Sequence, residues 1–241
     1  MNPTKTKRIC LWSGPRNIST ALMYSFGNRE DTAIVDEPLY GFYLSKTKAK
    51  EYHPSAKEIM ESMDCDGESV IEQLLAFDEK PIYFIKNMTH HLLDLKLDFL
   101  SEMEHILLTR EPEAMIRSFS KVIAHPQPKD LGYEDHLKLI GHFRERNISF
   151  HVVDSQDILN HPEQRLKPLC KAVGVPFSEA MLQWPKGARK EDGVWAKHWY
   201  SSVHQSTHFQ RQSNAEKTEF RPDLEELVNS SKKIYQQIIQ A

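Results

Sequence analysis

The residues best suited to chemistry begin at Ser13-Gly14-Pro15-Arg16-Asn17-Ile18-Ser19-Thr20, between the apolar run Arg8–Trp12 and the helix-like Ala21–Phe26. A loop leading from a strand into a helix presents unpaired backbone N–H groups and the positive end of the helix dipole, and so favours phosphate or sulfate. Arg16 adds a permanent charge with a fork of donors, and Ser19 and Thr20 add hydroxyls at the first helical turn. The same residues would also make a plain turn with Ser19 as a helix cap. A nucleoside-triphosphate loop, GxxxxGK[ST], needs Gly-Lys where this chain has Ile18-Ser19, so its phosphate-gripping lysine is missing. A second anion-binding pair is Arg110 and Ser118. The run His105–Leu108 delivers Arg110 to the carboxyl end of a strand, where open α/β sheets place ligands, and Ser118 follows in the next helix.

These groups need a scaffold, and the pattern of apolar runs supplies one. Strands are expected at Arg8–Trp12, Thr32–Val35, Ile82–Ile85, His105–Leu108 and Ile148–Val153, separated by helix-length segments. That is the signature of βαβ units around a parallel sheet, a three-layer α/β/α fold. Helices are expected over Lys57–Met63, Gly67–Phe77, Leu92–Leu100, Glu113–Ala124, Tyr133–Arg146 and Glu163–Val173, the last closed by Gly174. A final helix over Pro222–Gln240 carries Leu224, Leu227, Val228, Ile234 and Ile238 on one side and is expected to pack against the sheet. The segment Trp184–Gln212 is aperiodic and aromatic, which marks it as a functional loop or a lid.

With 241 residues and 39% apolar content, the chain is expected to form a single domain spanning 1–241. Its formal net charge of −3 and its lack of long like-charge blocks argue against a nucleic-acid or membrane partner. No apolar stretch approaches the roughly 18 residues of a membrane span. Cys10, Cys65 and Cys170 are too far apart for a disulfide framework or thiolate zinc site, and a cytoplasmic location fits them. The scattered histidines form no HExxH, so no metal is expected.

Read in order, the motifs resemble those of the sulfotransferases that use 3′-phosphoadenosine 5′-phosphosulfate. Pro15, Arg16, Asn17, Ser19 and Thr20 match that family's 5′-phosphosulfate loop, with Ile18 where the family usually has Gly. Arg110 and Ser118 match its 3′-phosphate motif, and Asp157–Phe177 resembles its scaffold stretch ending Gly-x-Pro-Phe. Ala188–Lys197 is similar to a third cofactor segment, from which Arg189 and Lys190 carry over. The resemblance implies that the chain binds this donor, releases adenosine 3′,5′-bisphosphate and sulfates a small-molecule acceptor.

Sulfuryl transfer builds charge on the leaving phosphate, which Arg16 would follow, and the acceptor must lose a proton to a nearby base. Asp36-Glu37-Pro38 resembles the Glu-Pro of carbohydrate-type and bacterial members, which makes Glu37 the first candidate. Lys86-Asn87-Met88-Thr89-His90-His91 resembles the Lys-x-His segment of cytosolic members, with Met88 in place of the His, so His90 or His91 would have to reach in from the next turn. Lys86 would either assist the sulfuryl oxygens or pair with a carboxylate. Acceptor specificity is expected in the loops Leu39–Tyr52 and Trp184–Phe209, whose aromatic content suits an apolar or ring-containing acceptor. The competing readings are a nucleotide-dependent phosphotransferase and a non-catalytic nucleotide-binding module.

Overall fold

Five β-branched or aliphatic runs become the five strands of one sheet: β1 (Lys7–Ser13), β2 (Thr32–Asp36), β3 (Ile82–Met88), β4 (Glu104–Thr109) and β5 (Phe150–Asp154). The structure is a computed structural model that describes residues 6–210 and 221–241. Residues 211 and 212, the end of the expected aromatic segment, and the polar N-terminal residues 1–5 lie outside the described residues. The strand order is β2-β3-β1-β4-β5 and every pairing is parallel. The chain moves to one side of β1 for β2 and β3 and to the other for β4 and β5. The carboxyl end of β1 is therefore the switch point at which such sheets bind ligands.

The helices in chain order are α1 (Ser19–Gly27), α2 (Tyr40–Lys46), α3 (Ala56–Ser62), α4 (Gly67–Ala76), α5 (Pro112–Phe119), α6 (Pro128–Leu131), α7 (Tyr133–Glu145), α8 (Ser155–Asn160), α9 (Pro162–Ala172), α10 (Ala196–Trp199), α11 (Ser201–Gln205) and α12 (Glu225–Ile239). Alternation along the strands builds a core on each side of the sheet. Ile9 and Leu11 of β1 pack with Leu22, Met23 and Phe26 of α1 and with α8 and α9. Cys10 and Trp12 face the opposite way, toward α4, α5, α7 and α12. The expected three-layer α/β/α fold is thus present, and α12 closes one layer with Val228 and Ile238 buried.

Three local expectations fail for physical reasons. Leu92–Leu100 is not a helix: Leu93 has a left-handed φ of 41°, and only Asp98–Glu102 forms a 3₁₀ turn. The spacing of Leu92, Leu95 and Phe99 comes instead from three turns pressed under the sheet. The helix expected over Glu113–Ala124 stops at Phe119. Leu39–Tyr52 is largely helical, because Tyr40, Phe42, Tyr43 and Leu44 are all buried and so show no amphipathic period. With Ile59, Trp195 and Tyr200, residues Tyr40, Tyr43 and Leu44 form a third cluster over the carboxyl ends of the strands.

Candidate functional site

The loop after β1 is held in an unusual shape. Arg16 and Ile18 take φ of 58° and 62°, a conformation that favours glycine and is strained for a β-branched residue such as Ile18. Alternating backbone handedness of this kind turns successive N–H groups toward one concavity, an anion-binding nest. α1 then begins with no side-chain cap and no acidic residue in its first turn, leaving its N-terminal N–H groups for a ligand. Asn17 anchors the loop from beneath by donating Nδ2 to the Leu108 carbonyl at 3.2 Å. Gly14 allows a close approach from α6, since a Cβ there would sit 2.5 Å from the Leu131 carbonyl oxygen.

Two guanidinium groups meet at this loop. Arg110 donates Nη1 to the Arg16 carbonyl at 2.6 Å, and Arg16 donates Nε to Ser118 Oγ at 3.1 Å and Nη1 to the Trp199 carbonyl at 3.0 Å. Burial disfavours both charges, and for Arg110 the neighbouring Arg16 adds to that cost. A bound anion would offset it. Arg16, Asn17, Ser19, Thr20, Arg110 and Ser118 all line one cavity of about 1040 Å³.

The other end of that cavity carries the carboxylates. Strand register sets Asp36 beside Lys86, and the chain then turns at Glu37 with φ of 46°. Lys86 Nζ donates to Glu37 Oε1 at 2.6 Å, to Tyr200 Oη at 2.7 Å and to Asp36 Oδ1 at 2.8 Å. An ammonium has three protons, so its donors are fully committed. Of the two roles expected for Lys86, the structure shows the pairing with carboxylates. Tyr200 donates its own hydroxyl to Asp36 Oδ2 at 2.7 Å and accepts from Trp195 Nε1 at 3.1 Å.

Electrostatics follow from this packing. Burial works against the Lys86 charge, yet the Asp36 and Glu37 carboxylates outweigh it and hold the amine well above its usual range. Burial pushes the Glu37 carboxyl up; Lys86 pulls it back in part and Asp36 adds to the rise. The contacts on Glu37 fall on Oε1, so Oε2 is the oxygen left toward the cavity that Glu37 lines. His90 and His91 line the same cavity. Burial lowers His90 to about 4 and holds His91 well below the usual imidazole range, so both are neutral. His91 is stacked between Tyr40 and Tyr43, at centroid distances of 4.9 and 4.6 Å.

Arg189 and Lys190 are not brought to the cavity, contrary to expectation. The Arg189 guanidinium lies 4.5 Å from the centre of the Tyr24 ring, while the Lys190 side chain is 90% exposed beside Glu191. Asp192 causes this placement: it accepts from the Arg189 N–H and from the Tyr24 hydroxyl, folding the segment onto α1. Sequence reasoning missed Asp36, Tyr200 and Trp195 as individual site residues. The aperiodic aromatic segment that holds Trp195 and Tyr200 was the available signal.

Comparison with known proteins agrees with this architecture. The family model described as "Sulfotransferase domain" matches residues 7–238. A curated relative from Arabidopsis thaliana, "Branched-chain-amino-acid aminotransferase-like protein 2", is 35% identical over 204 residues, covering 83% of this chain and 36% of its own length. The chain thus spans about a third of that relative. Among solved structures, the "Sulfotransferase Domain from the Curacin Biosynthetic Pathway" aligns with a TM-score of 0.57 at 16% identity, over 97% of both chains. The "Sulfotransferase Domain from the Synechococcus PCC 7002 Olefin Synthase" aligns with a TM-score of 0.52 at 16% identity, over 95% of this chain and 96% of its own. The likeness to these structures is one of fold, and with the family model matching almost from end to end, the chain belongs to the sulfotransferase domain family.

Proposed function

We propose that this protein transfers a sulfuryl group from 3′-phosphoadenosine 5′-phosphosulfate to a hydroxyl or amine of a small acceptor, with Glu37 as the base. The observation that carries this reading is that one cavity joins the Arg16–Arg110 anion loop to a buried, lysine-clamped glutamate. The donor, when bound, supplies the sulfuryl group and leaves as adenosine 3′,5′-bisphosphate.

The residues present fit such a donor. The nest at Arg16 and Ile18, the uncapped α1 N-terminus and the Ser19 and Thr20 hydroxyls would hold its 5′ end, and Arg110 with Ser118 its 3′-phosphate. Arg16 would follow the charge that grows on the leaving phosphate. Glu37 Oε2 takes the proton from the acceptor while Lys86 fixes Oε1, so the carboxylate meets the acceptor without reorganising. The segment that carries Trp195, Trp199 and Tyr200 covers the cavity and keeps water from the transfer.

We also take the chain to act as one unit in a reducing compartment such as the cytoplasm, in keeping with three free cysteines. Among the described residues no helix is long and apolar enough to cross a membrane. The test is release of adenosine 3′,5′-bisphosphate from the sulfated donor in the presence of a panel of hydroxyl and amine acceptors. Acceptor-dependent release that is abolished in Glu37→Gln supports the reading. Equal release by wild type and Glu37→Gln removes Glu37 from it.

A further inference from the structure

Asp130 is a buried carboxylate that has no counter-charge among the described residues. It is 8% exposed, lines the same cavity as Glu37, and its hydrogen-bond partners are neutral. Oδ2 accepts from the Gln127 N–H at 2.9 Å and closes the first turn of α6. Among the described residues Oδ1 receives only the Tyr52 hydroxyl, at a long 3.3 Å. Among the described residues no Lys, Arg or His nitrogen forms an ion pair with it. Buried charges are ordinarily paired, so an unpaired one on a cavity wall points to a cation from outside the chain.

Its surroundings favour the same kind of guest. Tyr40, Tyr43, His53 and Tyr52 cluster beside it, with Tyr40, Tyr43 and Tyr52 each within 6.0 Å of the His53 ring. Burial first, with Asp130 contributing, raises the Tyr43 and Tyr52 hydroxyls, while burial keeps His53 neutral despite Asp130. These are uncharged aromatic rings around one anion. The cavity is thus polarised: at the donor end four cations, Arg16, Arg110, Arg117 and Lys121, outnumber the two carboxylates Glu111 and Glu113, whereas at the acceptor end Lys86 pairs with both Glu37 and Asp36 behind it, and Asp130 adds a further negative charge.

We propose that the acceptor carries a positively charged amine, held by Asp130 and the rings of Tyr43 and His53, in addition to the hydroxyl or amine presented to Glu37. This rests on the transfer reading above. A carboxylate assists an ammonium directly and aromatic faces assist it through their quadrupoles. An anionic acceptor would meet unpaired negative charge instead, so the same groups select against it.

The test uses three phenols of similar size that differ in side-chain charge: tyramine, 4-ethylphenol and 3-(4-hydroxyphenyl)propionate. Their dissociation constants would be measured by saturation-transfer NMR on the whole chain, with and without adenosine 3′,5′-bisphosphate. Tyramine is expected to bind at least ~10-fold tighter than 4-ethylphenol, and the propionate weakest, since charge-assisted contacts contribute on that order. In Asp130→Asn, which keeps a capping oxygen, tyramine should fall to the level of 4-ethylphenol while 4-ethylphenol is unchanged. The wild-type series stands alone if that variant fails to fold. Equal affinities across the three, no binding of tyramine, or an amine preference that survives Asp130→Asn overturns the inference. Bisphosphate binding in the same samples reports separately on the transfer reading: its absence sinks that reading and leaves the amine preference to be judged on its own.

Discussion

Lys86 Nζ lies 2.6 Å from Glu37 Oε1, across two neighbouring strand ends, with Lys86 only 1% exposed. In the proposed reaction, this pair is what holds a buried carboxylate ready to take the acceptor's proton. Burial alone would leave it protonated, and a free ammonium alone would leave it too weak a base. Asp36 on the other side of the lysine keeps the amine charged while raising the glutamate.

The acid limb of the pH–rate profile follows from that balance. Below its folded pKa, Glu37 is protonated and accepts no proton, so kcat/KM falls as pH drops through that value. Because burial raises Glu37 above the ordinary glutamate range, the limb lies at higher pH than that of an exposed glutamate. Glu37→Gln should lower kcat by roughly 10²- to 10⁴-fold while bisphosphate affinity holds. Steady-state kinetics from pH 4 to 8, beside calorimetry on the variant, check both parts.

Lys86→Met should be costly to the fold as well as to turnover. Removing the lysine leaves Asp36 and Glu37 buried without their cation. Breaking such a cluster costs about 3–5 kcal/mol. Urea denaturation at neutral pH measures this, and a loss below ~1 kcal/mol would mean that the carboxylates are less dependent on the lysine than their geometry indicates.

Tyr200→Phe removes a hydroxyl that accepts from Lys86 and Trp195 and donates to Asp36. Leaving buried partners unsatisfied costs about 1–3 kcal/mol each. Since α10 and α11 are short and tied down here, limited proteolysis should cut residues 195–205 faster in the variant than in wild type. Identical cleavage rates would show that other contacts hold the segment.

His105 makes the fold sensitive to acid. It accepts Trp12 Nε1–H at Nδ1 and donates Nε2–H to the Leu100 carbonyl, so the buried ring is neutral, and burial lowers it to about 4. A histidine whose folded pKa is depressed binds its proton more readily when unfolded. Stability is therefore retained above about pH 6.5 and lost progressively as pH falls from there toward 4. Urea midpoints across that window should decline in wild type and decline less steeply in His105→Gln, whose amide can keep both hydrogen bonds.

Much of the fold was legible because strand length, β-branching and the bounding turns agree. Ile9, Leu11, Phe84, Ile106 and Leu108 read as buried strands and are so. The strand-to-helix loop between β1 and α1 was legible for the same local reason, since its residues are contiguous from Pro15 to Thr20. What stayed hidden was assembled over distance. Tyr200 reaches Asp36 and Lys86 from the far end of the chain, and no local pattern marks that contact. The helical spacing of Leu92, Leu95 and Phe99 misled because burial at three separate turns mimics one amphipathic face. Arg189 matched a motif by type and order, but Asp192 redirects it onto Tyr24.

The central claim, a donor site built from the Arg16 loop and Arg110, is tested most directly by calorimetric titration of adenosine 3′,5′-bisphosphate. ADP and ATP with Mg²⁺ would be titrated beside it, into wild type and Arg110→Ala. Selective binding of the bisphosphate that is lost in Arg110→Ala is the predicted result. Binding no tighter than that of ADP, or unaffected by Arg110→Ala, would contradict the account.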